Sequence, residues 1–64
     1  MGQLYRHFKG NVYEVLCDAI DTETNERVIV YQDVESKTIW VRPKNMFFET
    51  IDRPEYKGPR FTLI

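Results

Sequence analysis

The chain has 64 residues, enough for one small domain over 1–64 and too few for a multi-domain enzyme. Its single cysteine, Cys17, excludes an internal disulfide and a thiolate zinc knot, so stability rests on packing. Nine Lys and Arg against ten Asp and Glu leave a formal charge of −1 and a pI near 5.7, whereas a domain living on phosphate contacts carries a basic excess and a pI above about 9. A hydrophobic fraction of 42% is ordinary for a folded globular domain. No apolar run approaches the roughly 18 residues of a membrane span, and nothing resembles a signal peptide, so a soluble cytoplasmic protein with no membrane partner is expected. Met1-Gly2 does not open a myristoylation motif, because Arg6 stands where Ser or Thr is needed.

Turn formers at Gly10-Asn11, 21–26, 33–38, Pro43 and 52–59 cut the chain into pieces too short for a long helix. Over 12–20, Tyr13, Val15, Cys17 and Ala19 fall on one side of an extended chain, with Glu14 and Asp18 on the other. That alternation predicts a half-buried strand with the first four residues facing the core. The polar stretch 21–26 then closes a hairpin onto 27–33, whose Val28-Ile29-Val30-Tyr31 is apolar on both faces and predicts a central strand. A second polar turn containing Glu35, Ser36 and Lys37 leads to a third strand, 38–42, which Pro43 ends by withholding a ladder donor. Ile39 and Val41 point one way and Trp40 and Arg42 the other; with the aliphatic pair in the core, the indole and guanidinium lie outside. Residues 44–48 predict a single 3-10 turn that tucks Met46 and Phe47 beneath the sheet. A short strand at 49–51, a loop at 53–59 and an alternating terminal strand at 60–64, paired with an early one, complete the chain.

Five short strands joined by tight hairpins and one 3-10 turn are best served by a strongly bent sheet that closes on itself, because closure removes exposed edges. The expected fold is all-β, a small SH3-like barrel, with an OB-like barrel second because that fold usually needs more residues. Two sequence blocks stand out: Tyr5-Arg6-His7-Phe8-Lys9-Gly10-Asn11-Val12-Tyr13-Glu14-Val15 and Trp40-Val41-Arg42-Pro43-Lys44-Asn45-Met46-Phe47-Phe48. On these the chain resembles the family catalogued as domain of unknown function 1653. Val30-Tyr31 matches that family's central strand and Pro59-Arg60-Phe61 its closing segment, so the resemblance covers nearly the whole chain. It implies a compact SH3-like barrel found mostly in bacterial proteins, and it brings no known activity.

Catalytic and metal chemistry find little support. His7 is the only histidine, so a metal site would need Cys17 or carboxylates to complete it, and Cys17 is placed on the apolar side of its strand. A buried thiol has little thiolate character, which makes Cys17 a small core residue rather than a nucleophile paired with His7. Asp21 with Glu23, and Asp33 with Glu35, fall in hairpin turns, where carboxylates hold the turn and solubilise it. Neither an enzyme, a metal nor a cofactor is expected.

The aromatic and basic residues are more informative. Nine aromatics in 64 residues exceed what so small a core needs. Tyr5, His7, Phe8, Tyr31, Trp40, Arg42, Met46 and Phe47 come from segments that a barrel of this order brings together, and they form the candidate ligand-binding set. They suggest a shallow groove floored by rings, with Arg42 and Lys9 or Arg6 at its rim to receive a carboxylate, a phosphate or an acidic side chain. The competing interpretation has Phe8, Met46 and Phe47 plugging the barrel ends while Arg42 stacks on Trp40 as a brace, worth about 0.5–2 kcal/mol. The Tyr13-Glu14-Val15 segment and Phe61 are assigned to the core. The expected function is a non-enzymatic module binding a protein or an extended peptide. The alternative is single-stranded nucleic acid or a nucleotide, with bases on Trp40 and Tyr31 and phosphates at Arg42, Arg6 and Lys9. A homodimer paired through the apolar edge 61–64 is a further expectation.

Overall fold

The two hairpins in the middle of the chain follow one design, visible in a computed structural model that describes residues 2–64. In the first, Asp21 Oδ1 accepts the N–H groups of Glu23 (2.9 Å) and Thr24 (3.4 Å), and Asn25 turns the chain at φ 63°. The second repeats this: Asp33 Oδ1 accepts from Glu35 (2.8 Å) and Ser36 (3.1 Å), and Lys37 turns at φ 65°. Each aspartate supplies the acceptor that an open turn lacks, and the N–H groups of Ser36 and Glu35 hold the Asp33 carboxyl below its ordinary pKa. In each carboxylate pair the aspartate is therefore the turn former, and Glu23 and Glu35 contribute their backbone N–H groups.

These loops join β2 (Val12–Ile20), β3 (Arg27–Asp33) and β4 (Ile39–Pro43) into an antiparallel meander. β1 (Leu4–His7) pairs with β2, and the terminal β7 (Phe61–Leu63) pairs with β1, giving the order β4-β3-β2-β1-β7. A separate hairpin contains β5 (Thr50–Arg53) and β6 (Tyr56–Pro59). The all-β architecture holds, and the terminal strand does pair with an early one. Among the described residues seven strands form rather than about five, however, in two sheets that do not close into a barrel. The two added strands, β1 and β6, lie in stretches rich in Arg, Lys, His and Gly, where alternation is hard to see. The helical piece α1 (Lys44–Phe47) is one α turn rather than a 3-10 turn, since the Phe48 N–H bonds to the Lys44 carbonyl four residues back (3.2 Å).

Register decides which residues are inside. Val15 stands opposite Tyr31 but Cys17 stands opposite Val30, so Leu16 is the extra residue of a β-bulge and the faces of β2 exchange beyond it. Tyr13 and Val15 face the core as expected; Cys17 and Ala19 fall on the outer face, and Cys17 is exposed rather than a core residue. The second correction concerns β4. The loop at 33–38, closed by Asp33 N–H to Thr38 O (2.9 Å), sets Trp40 opposite Tyr31 and Arg42 opposite Ile29. Trp40 and Arg42 thus share the inner face, and Ile39 and Val41 the outer one, because turn length fixed the register before side-chain hydrophobicity could. Ile39 and Val41 are 57% and 65% exposed.

The core is mostly aromatic. Val15, Ile29, Tyr31, Phe47 and Phe61 are buried together, with Tyr5 and Tyr13 packed against them. Phe47, fully buried, lies parallel to Phe61 at 4.1 Å between centroids and edge-on to Tyr5 and Tyr31, each at 5.3 Å. Its neighbour Met46 stays exposed, so only one of the two residues expected beneath the sheet is there.

Candidate functional site

The eight candidate residues do not form one groove. Tyr31 and Phe47 are in the core, and Tyr5 is half-buried against Phe47. Arg42 donates from Nε to the Tyr31 hydroxyl (3.3 Å) and lies 6.0 Å from the Phe61 ring centroid. Its bracing role is thus directed at Tyr31 and Phe61 rather than at the indole. Trp40 and Met46 are exposed, at 51% and 41%. His7 and Phe8 remain, and these two line a cleft of about 490 Å³ between the β1–β2 turn, β6 and β7. That volume lies within the usual range of ligand pockets, about 300–1,000 Å³.

The cleft wall is built locally. At the end of β1 the chain turns back through Gly10 at φ 111°, with His7 N–H bonded to the Asn11 carbonyl (2.8 Å). The Lys9 N–H donates to His7 Nδ1 (3.1 Å), which fixes the imidazole. The Phe8 ring stacks on His7 at 4.6 Å and on Tyr56 at 5.0 Å. Tyr56 is held over the site because its hydroxyl donates to the Pro59 carbonyl (2.7 Å) across Gly58. A Cβ at Gly58 would sit 2.8 Å from that hydroxyl, so glycine is required there. Tyr56 was missing from the candidate set; the Tyr56-Lys57-Gly58-Pro59 run was its signal.

Cations surround the rings. Arg53 lies 5.4 Å and Lys9 5.9 Å from the Phe8 centroid, and Arg6 joins the lining, which contains no acidic side chain. Arg60 is engaged by Glu49 (2.7 Å), while its Nε is buried without a hydrogen-bond partner among the described residues. His7 and Cys17 lie on opposite faces of the sheet, so the structure does not bring the thiol to the imidazole.

Burial first, and then Arg42, Arg60, Lys9 and Arg53, push the His7 imidazole below its ordinary pKa of 6.5. The folded state therefore favours neutral His7 more than the unfolded chain does. This contribution to stability is complete above pH 6.5; it falls as pH drops through 6.5 to the lowered folded value, and is flat below that. Melting temperatures measured from pH 7.5 to 5 should decline less steeply in His7→Phe than in the wild type, and identical slopes would contradict this.

Fold and cleft together define a small all-β domain with a cation-rimmed aromatic cleft at one end of an open sheet. The chain belongs to the family described as Protein of unknown function (DUF1653), whose model matches residues 3–63. The crystal structure of a DUF1653 protein from Bordetella bronchiseptica is 31% identical, with a TM-score of 0.86 over 100% of this chain and 86% of that one. No curated protein matches. No helix among the described residues is long and apolar enough to cross a membrane.

Proposed function

We propose that this domain is a non-enzymatic binding module whose cleft around Phe8 and Tyr56 receives an extended, acidic segment of another protein. One observation carries the proposal: Arg6, Lys9 and Arg53 gather around stacked rings in a chain of net charge −1, and no acidic side chain of the described residues lines the cleft. Local cations on an otherwise acidic surface select a partner by charge, and the rings supply apolar area for its side chains. Nucleic acid fits less well. The base-stacking platform it needed was Trp40 with Tyr31, and Tyr31 is 4% exposed.

Titration of the isotope-labelled protein with a capped peptide of alternating Glu and Leu, followed by NMR, tests this. Shifts should concentrate at Phe8, Tyr56 and Leu63, and Lys9→Glu with Arg53→Glu should weaken binding roughly tenfold or more. Both residues are exposed, so the fold survives. Equal binding of a Lys-Leu peptide, or an absence of shifts in the cleft, would overturn the proposal. Tight binding of a ten-residue oligothymidine with a steep salt slope would establish the nucleic-acid alternative instead.

A further inference from the structure

β4 is an edge strand whose usual protection, a charge and a proline, is confined to its last two residues, Arg42 and Pro43. One side is bonded to β3, and among the described residues no strand or backbone group is bonded to the other. Edges are normally blunted by charge, proline or a bulge. Over Ile39, Trp40 and Val41 this edge has none of these, and all three side chains are half or more exposed. Trp40 faces inward and Ile39 and Val41 outward, so apolar surface lies on both faces of a single strand. A partner lying on one sheet face would cover half of it. A strand added to the edge flanks side chains on both faces at once, because its own side chains alternate in the same way.

We propose that the occupant is a second copy of β4, paired antiparallel about a two-fold axis at Trp40. The sequence is self-complementary in that register: Trp40 meets Trp40, Ile39 meets Val41 and Thr38 meets Arg42, so apolar residues face apolar ones and no like charges are opposed. A slip of one residue either way opposes Lys37 to Arg42 or to Lys44 of the other copy, and it also sets an inner-facing residue against an outer-facing one. The two-fold pairing uses up the β4 edge of each copy and closes, whereas joining β4 of one copy to β7 of the next would grow without end. The dimer is a ten-stranded continuous sheet with both aromatic clefts on its far flanks.

Sedimentation equilibrium tests it. The wild type should show twice the 7.7 kDa chain mass at about 100 μM, and Val41→Lys and Ile39→Glu, each alone, should be monomeric. Mixing the two variants should restore the dimer, since residue 41 of one copy faces residue 39 of the other. Both sites are mostly exposed, and circular dichroism confirms that each variant is folded. A wild type monomeric at 1 mM, variants that still dimerise, or a mixture that stays monomeric would overturn the proposal. The Lys9→Glu, Arg53→Glu protein should keep the dimer mass, which separates this result from the cleft.

Discussion

Phe47→Ala should leave the domain unfolded at room temperature. The ring is fully buried, parallel to Phe61 and edge-on to Tyr5, Tyr31 and Phe48, so its removal opens a cavity bounded by four aromatics that cannot collapse together. Phe-to-Ala changes in cores cost about 3–5 kcal/mol, and a single core in a chain of this size supplies about the same. With no disulfide in reserve, the loss matches the whole stability. Urea titration followed by circular dichroism reads it directly. A cooperative transition within about 0.5 M of the wild-type midpoint would show that the core lies elsewhere.

Val15→Asp should also abolish folding, by a different route. Val15 is 6% exposed against Tyr31 and Phe61, and a carboxylate there has no partner for its charge. Cys17→Asp, two residues along the same strand, should change stability by no more than about 0.5 kcal/mol, because the bulge at Leu16 turns that position to solvent. Amide NMR dispersion distinguishes the two: collapsed for the first, native for the second. Equal damage from both would mean that β2 runs without a bulge.

This contrast shows where sequence reading succeeds. The bounds of β2 and β3 were legible because alternation and Asp-headed turns mark them, and the meander follows from those. The bulge left no trace in hydropathy, since Leu16 is as apolar as the residues around it; every side assignment beyond it inverted. β4 failed similarly: Ile39-Trp40-Val41 is apolar throughout, so periodicity gave no face, and loop geometry chose one. For the candidate site, residue types were a better guide than placement. His7 and Phe8 line the cleft, with Arg6 and Lys9 beside them, but Arg42 and Trp40 lie elsewhere, and Tyr31 and Phe47 were needed for the core. Burial competes with binding for aromatics in a small domain, and a single sequence does not show how that competition ends.

The pairing of β7 with β1 has a kinetic consequence. Leu63 stands opposite Tyr5, 58 positions away in the chain (63 − 5), whereas each meander hairpin closes through six residues. Loop-closure entropy makes the long contact about 2 kcal/mol harder to nucleate than either short one. The three middle strands can therefore assemble by local search, while β1 and β7 meet late, when Phe61 docks and the core is finally sealed.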